Sequence, residues 1–365
     1  MKILIIKFRN IGDVLLTTPI LPNLKKHFPN ASIDIAVNKG TEAVVCHHPD
    51  ICETLIYDRE RVKSLPLFRR LIEELKFAKE IRQRNYDIVI NLTEGDRGAQ
   101  LALISQAKIR VGYPPPKATW LKKAYTHLMP PQGMRHTIEA NLDALRTLKV
   151  PIQSKHVHMH IPEQCRKTVE GLLRRYGLMK RGYIHFHPVS RWLFKCIDDR
   201  TAARIIDFCQ QELGIPVVMT AAPAMNERKK LDNIKSHCQS EPIDLGGRLT
   251  LEETAAIADS AKLFVGVDTA VMHIAAAVDT PVVAFFGPSG AFHWGPWDNA
   301  CKESGYKNRN GMQRMGKHKV LALDWTCIPC GQDGCEGTKI SDCLVQMPVS
   351  MILKEIEESL NDQHS

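Results

Sequence analysis

Short apolar runs rich in β-branched residues recur along the chain, at Ile3–Ile6, Ile33–Val37, Ile88–Leu92, Val217–Thr220, Leu263–Val267 and Val282–Phe286. Runs of this length without polar alternation read as strands buried on both faces, the pattern of parallel sheets. Between them, helical patterns cover Val14–His27, Leu65–Arg84, Thr137–Leu148, Arg200–Leu213, Leu251–Ala258 and Ala270–Ala277, long enough to serve as crossover connections. The alternation predicts an α/β fold with helices on both faces of parallel, doubly wound sheets. At 365 residues the chain exceeds what one core usually spans, so two such domains are expected. Pro151, a histidine-rich stretch and Pro162 separate the two series of strands, which sets the expected domains at 1–162 and 163–347, followed by a C-terminal helix and polar tail at 348–365.

Forty-nine Lys and Arg against 40 Asp and Glu give a net charge of +9, which favours an acidic partner, phosphates first among them. The longest apolar stretch, Leu263–Phe286, is interrupted by Asp268, His273 and Asp279, so a membrane-spanning helix is not expected. The apolar run after Met1 and Lys2 is too short for a secretion signal, which points to the cytoplasm. Eleven cysteines, an odd number, cannot all pair, and a reduced compartment accommodates them.

Three segments carry candidate chemistry. The first strand runs into Phe8-Arg9-Asn10-Ile11-Gly12-Asp13, where Gly12 allows a tight turn and Asp13 stands at the position of an N-cap. At the carboxyl end of a strand Asp13 would face a crevice and could act as a base, or it could simply cap its helix. The segment Phe264-Val265-Gly266-Val267-Asp268-Thr269-Ala270-Val271-Met272-His273 reads as a strand ending in a polar pair that opens a helix, an anion site in outline. Thr269 and His273, four apart, share a face; a capping Asp268 and a satisfied core histidine are the alternatives. In Tyr183–Lys195 a strand leads into a loop carrying Arg191 and Lys195, a planar fork and a point charge suited to a diphosphate, unless they are ordinary surface cations. The chain contains neither GxGxxG nor GxxxxGK[ST].

The opening Lys2-Ile3-Leu4-Ile5-Ile6-Lys7 followed by Gly12-Asp13-Val14-Leu15-Leu16-Thr17-Thr18-Pro19, together with Gly266–Ala277, resembles glycosyltransferase family 9, which contains the ADP-heptose:lipopolysaccharide heptosyltransferases. The resemblance runs from Met1 to about Leu360. Asn91-Leu92-Thr93 and Phe194-Lys195-Cys196 are most similar to the heptosyltransferase III branch, which adds a side-chain heptose. The resemblance implies a GT-B fold, two Rossmann-like domains facing a central crevice, the acceptor on the amino-terminal side and the nucleotide sugar on the carboxyl-terminal side. It implies an inverting transfer from ADP-heptose without a metal or other cofactor, with Asp13 as general base. It makes Lys195 a phosphate ligand, Asp268, Thr269, Ala270 and His273 the diphosphate loop, Ser190 a neighbour of the phosphates and Glu227 a neighbour of the ribose. Ala270 stands where other members carry Gly, a small change that preserves close approach. The implied acceptor is the anionic inner core of lipopolysaccharide, reached by peripheral contact with the cytoplasmic face of the inner membrane. Addition of the first or second core heptose, or transfer from another nucleotide sugar, is the alternative within the family; a non-catalytic two-lobed sugar-binding protein is the alternative outside it.

Cys327, Cys330, Cys335 and Cys343 lie within seventeen residues, a spacing that suits structural zinc, although the last two do not form a second CxxC and free thiols are the alternative. Arg59–Arg84 holds nine Lys or Arg and four Glu, with Phe68, Leu71, Ile72, Leu75 and Ile81 at helical spacing, and is expected to show a basic face over a core rather than to enter a membrane. A second basic patch, Lys108, Arg110, Lys117, Lys122 and Lys123 around Tyr113, Trp120 and Tyr125, could also hold nucleic acid, but a phosphorylated saccharide fits the resemblance better, and nucleic acid is not expected as a partner.

Overall fold

Ile3, Leu4, Ile5 and Ile6 are all fully buried because their strand, β1 (Lys2–Lys7), has neighbours on both edges and helices on both faces. Strand β2 (Ser32–Asn38) pairs with it in parallel along its whole length, and β4 (Ile88–Asn91) pairs in parallel on the other side from Ile3↔Ile88 to Ile6↔Asn91. The computed structural model describes residues 1–114, 121 and 123–362, and divides the chain into two compact units, Met1–His160 and Ile161–Ser365.

The first unit adds β3 (Glu53–Tyr57), β5 (Ile109–Gly112) and β6 (His127–Leu128), in the order β3-β2-β1-β4-β5-β6 with every pairing parallel. The second unit repeats the plan. β7 (Ile184–His187), β8 (Val217–Met219), β9 (Ile243–Asp244), β10 (Leu263–Val267), β11 (Val282–Phe285), β12 (Gln313–Met315) and β13 (His318–Leu321) follow the order β12-β13-β11-β10-β7-β8-β9, parallel except for the β12–β13 edge. In both units the chain leaves the first strand in one direction across the sheet and later returns to its other side. Each therefore has a switch point, between β1 and β4 and between β7 and β10, where the loops part and leave a crevice at the strand carboxyl ends.

The helix expected over Val14–His27 is two helices, Ile11–Leu15 and Ile20–His27. Pro19 cannot donate to an α-helical ladder, and the Thr17 and Thr18 hydroxyls instead donate to Val14 O and Leu15 O at 2.7 and 2.9 Å. The helix expected to begin at Leu65 begins after Pro66, covers Leu67–Gln83, and is preceded by a separate Arg59–Ser64 turn of helix capped by Asp58. The C-terminal helix, Val349–Asn361, belongs to the second unit's core, where Ile352, Ile356 and Leu360 pack with Phe186, Val265 and Phe285 among others. No helix among the described residues is long and apolar enough to cross a membrane.

Gly266 marks a close approach of the two switch-point strands of the second unit. A Cβ there would stand 2.6 Å from the main-chain oxygen of His187 on β7, an atom that cannot swing aside. Gly266→Ala is expected to destabilise the second unit by about 2 kcal/mol. Denaturant titration checks this, and an unchanged midpoint would mean that β7 and β10 do not pack this tightly.

Candidate active site

At the switch point of the second unit, the chain leaving β7 buries Val189 and Ser190 and then turns through a 3₁₀ segment, Leu193–Lys195. The Trp192 and Phe194 rings stack at 6.4 Å, and the Arg191 guanidinium lies 4.5 Å over Trp192. This turn brings Lys195 to the end of β10, where its Nζ donates to Asp268 Oδ2 at 2.5 Å; the Ser289 hydroxyl donates to the same oxygen at 2.5 Å. Burial pushes the Asp268 pKa up, but the charge and hydrogen bond of Lys195, the Ser289 hydroxyl and His273 outweigh it and hold the carboxyl below its ordinary value.

Thr269 follows, and the helix Ala270–Ala277 begins immediately after it. The Thr269 Oγ1 is buried without a hydrogen-bond partner. The first N–H groups of the helix have no acceptor within it. An ammonium with donors to spare is thus bonded to Asp268, whose carboxylate it neutralises, and an unsatisfied hydroxyl and a helix start follow in the next two residues. That donor set suits a diphosphate. Ala270 is the first helical residue, and His273 is buried one turn on, its N–H donating to Thr269 O at 3.4 Å.

Ser190 is occupied locally, its Oγ accepting from the Trp192 N–H at 3.2 Å. Glu227 is buried in the first turn of the helix Met225–His237, and its Oε2 accepts from the Ala222 N–H at 3.0 Å. Burial raises its pKa; the Ala222 hydrogen bond and the Arg191 charge oppose this without cancelling it. Sequence reasoning passes over Thr220, whose hydroxyl lies 2.7 Å from His185 Nε2 and 2.9 Å from His187 Nδ1 and so ties the ends of β7 and β8. Burial keeps both imidazoles neutral at pH 7, His187 with its pKa pulled down to about 4. Two histidines at i and i+2 in a strand, with a Thr ending the next, are the available sequence signal.

In the first unit, Asn10 caps the helix Ile11–Leu15, and Asp13 is its third residue rather than its cap. The Asp13 carboxylate reaches back to accept from the Asn10 N–H at 3.3 Å, so it is half-buried beside the loop that leaves β1. Lys7, the last residue of β1, is buried there too. Its Nζ donates to Leu92 O at 3.0 Å and to Asn141 Oδ1 at 3.3 Å. Burial lowers its pKa to about 8, with Asp13 and Glu94 pulling it back up and Arg9 pushing it down. A lysine closing an otherwise apolar strand is visible in the sequence; its burial beside Asp13 is not.

A cavity of about 590 Å³ opens at the same end of this sheet, lined by Phe8, Tyr57 and Thr93, by five cations, Arg9, Arg59, Lys63, Arg70 and Arg97, and by three carboxylates, Glu74, Glu94 and Asp96. Glu74 accepts from the Tyr57 hydroxyl at 2.6 Å and from Arg97 at 2.7 Å, which lays the Arg97 guanidinium over the Tyr57 ring.

Residues 74–322 match Glycosyltransferase family 9 (heptosyltransferase). The chain belongs to this family. It is 35% identical over 289 residues, 78% of its length and 82% of the relative's, to "Lipopolysaccharide heptosyltransferase 3" of Escherichia coli K12. Among solved structures it is similar to the glycosyl transferase family 9 protein of Veillonella parvula, with TM-score 0.79, 22% identity and coverage of 99% of this chain and 97% of that one. It is also similar to an E. coli heptosyltransferase solved with ADP, with TM-score 0.73, 18% identity and coverage of 98% and 100%. The two parallel-sheet units are those of the GT-B fold, and the chain is a glycosyltransferase.

Two expectations change for this family 9 member. Among the described residues, no three of the sulfurs of Cys327, Cys330, Cys335 and Cys343 lie close enough to bind one ion. Cys330 and Cys335 instead accept main-chain N–H groups, from Gln332 at 3.5 Å and Asp342 at 3.4 Å, and burial pushes the Cys343 thiol up to about 12. Arg110 is a structural staple, its guanidinium donating to Ala107 O, Ala124 O and Lys123 O at 2.6, 2.7 and 3.3 Å. Lys117, Trp120 and Lys122 lie outside the described residues.

Lys195→Met is expected to leave the Asp268 carboxylate buried without its cation, destabilising the second unit by roughly 3 kcal/mol at pH 7. Lys195→Met with Asp268→Asn should regain much of that loss. Because the folded Asp268 pKa is lowered, the stability that its ionised form contributes to wild type is present above its unfolded value of about 3.8 and is lost as pH falls through the folded one. Urea melts of the three proteins from pH 7 to pH 3 check this; equal midpoints at pH 7 would remove the ion pair from the stability of the unit.

Proposed function

We propose that this glycosyltransferase moves a heptose from ADP-heptose to the inner core of lipopolysaccharide, adding the branch heptose, with inversion at the anomeric carbon and without a metal. The observation that carries the reading is that Lys195 is bonded to Asp268 at the end of β10, directly before Thr269 with its unsatisfied hydroxyl and the start of the Ala270–Ala277 helix. The 35% identical relative named for lipopolysaccharide heptosyltransferase 3 supports the choice of sugar and acceptor. The similar E. coli heptosyltransferase, solved with ADP, supports the nucleotide.

In this reading the second unit holds the donor. Lys195, the Thr269 hydroxyl and the first N–H groups of the Ala270 helix bind the diphosphate, with His273 and Ser190 beside it. Asp268, already committed to Lys195 and Ser289, acts through the lysine it positions. Glu227 keeps one oxygen on Ala222 and offers the other to a ribose hydroxyl. The first unit holds the acceptor, with the cationic cavity taking its anionic groups and Asp13 serving as base. Asp13 takes the proton of the acceptor hydroxyl, that oxygen bonds to the anomeric carbon, and the bond from that carbon to the diphosphate breaks with its electron pair leaving on ADP. Positive charge and fixed donors stabilise the developing charge in the place a metal would occupy. Lys7, near Asp13 and locked by Leu92 and Asn141, positions the base through its charge. Such an acceptor places the work at the cytoplasmic face of the inner membrane.

Incubation of lipopolysaccharide core acceptors with ADP-heptose and a chelator, followed by mass spectrometry, tests this. Wild type should add one heptose to the acceptor lacking only the branch heptose, and Asp13→Asn should lose at least about a hundredfold in turnover while still binding ADP. Gain on a more truncated core would move the assignment to the first or second heptose. Undiminished turnover in the variant would remove Asp13 as base, and dependence on added divalent ion would overturn the metal-free chemistry.

A further inference from the structure

The helix Leu67–Gln83 is built the wrong way round for a helix covering a core. Its buried residues, Phe77, Ala78 and Ile81, all lie in its second half. Leu67, Phe68, Leu71 and Leu75 are 83, 75, 57 and 59% exposed. At 3.6 residues per turn these four fall within about 100° of arc, so they form one continuous outward stripe rather than scattered surface residues. The periodicity that predicted a core-facing side is real, and much of that side faces away from the protein.

The charges around the stripe are arranged asymmetrically. Glu73, Glu74 and Glu80 are committed to ion pairs with Arg61 and Lys76, with Arg97 and with Arg84. Among the described residues Arg69, Arg70 and Lys79 on the helix, and Arg59 and Lys63 just before it, make no ion pair, against one unpaired carboxylate in the same stretch, Glu60. The imbalance extends to the whole unit. Residues 1–160 hold 25 Lys and Arg against 15 Asp and Glu, a net of +10, whereas residues 161–365 hold 24 against 25, a net of −1.

We infer that the first half of this helix is a docking surface for an anionic lipid bilayer, into whose interface Leu67, Phe68, Leu71 and Leu75 insert while Lys79, which borders the stripe and does not line the cavity, meets phospholipid headgroups and the unit's positive excess holds it to the surface. Apolar side chains beside unneutralised Lys and Arg are the composition of a helix that lies in a membrane interface. An anionic surface also satisfies a unit whose excess charge a neutral protein partner would leave uncompensated. Position argues the same way. Arg70 and Leu71 of this helix line the cationic cavity, so a bilayer seated on the stripe lies next to that cavity. The choice of a bilayer rests in part on the lipid-borne acceptor proposed above; the exposure and the charge do not.

The test is co-sedimentation of the full chain with vesicles of phosphatidylethanolamine and phosphatidylglycerol, and with vesicles of phosphatidylcholine alone, for wild type and for the triple variant Leu67→Ser, Phe68→Ser, Leu75→Ser. These three side chains do not line the cavity. Wild type is expected to partition to the anionic vesicles, and the variant to bind them about tenfold or more weakly while retaining wild-type ADP binding and circular dichroism. Equal binding by the two proteins, no preference of wild type for anionic over neutral vesicles, or a wild-type dimer that the substitutions dissociate would overturn the inference, the last by making a second copy the occupant. Turnover on a delipidated core oligosaccharide separates this from the functional reading. Both proteins should turn it over equally, and a failure of both would count against heptose transfer without altering the vesicle result.

Discussion

Burying β7 and β10 on both faces confines polar chemistry to the ends of those strands, and the Lys195–Asp268 ion pair is what makes charge tolerable there. Either group alone would cost several kcal/mol in so closed a place. Together they leave an ammonium fixed on Asp268, the residue just before the Thr269 hydroxyl and the helix start. The strand register, the close approach at Gly266 and the Thr220 link between His185 and His187 all keep the two ends where this pair can form.

The two units share the order of their first five strands and differ in their electrostatics. The second is nearly neutral in sum, and the site proposed for its anion is built from short hydrogen bonds and a helix end, which salt screens little. The first carries the whole positive excess of the chain and spreads it over a cavity rim and a helix, mostly exposed, where the field reaches about a Debye length and falls with ionic strength. Short-range recognition suits a small diphosphate whose atoms must be placed closely. A diffuse field suits a large, multiply anionic substrate that must be gathered and oriented before any one group is aligned.

Much of the fold was legible because buried parallel strands announce themselves as unbroken apolar runs: the strand Leu263–Val267 begins and ends as its residues suggest, and so does the helix Ala270–Ala277 that follows it. Less apolar strands were missed. Glu53–Tyr57 and Ile109–Gly112 carry polar residues because they lie away from the centre of their sheet, where one face or edge meets solvent. At the candidate site, local spacing showed Asp268 and Thr269 at a strand-to-helix junction, but not that Lys195, 73 residues earlier, would bond to Asp268, since that depends on which strands become neighbours. The N-cap assignment of Asp13 failed by three residues because Asn10, also a favoured cap, precedes it. The cysteine spacing failed for the same underlying reason: sequence proximity does not fix where sulfurs point, and the backbone of Cys327–Cys343 satisfies two of them with N–H groups.

Helical periodicity states that one side of a helix is apolar and is silent about what that side meets. For Leu67–Gln83 the second half meets the sheet and the Tyr57–Phe77 aromatic cluster, with ring centroids 5.3 Å apart, while the first half runs past the edge of what the unit can cover. Leu67, Phe68, Leu71 and Leu75 therefore contribute little to folding, because most of their surface stays in water in the folded protein as in the unfolded chain. Their apolar character is what the inferred contact with a bilayer accounts for. Lys and Arg beside them, left over after the carboxylates of the helix have been used internally, restrict that contact to a surface that is both apolar and negative. A bilayer with anionic headgroups has both properties in one place, and the cavity opening beside the helix gives such a surface a reason to be there.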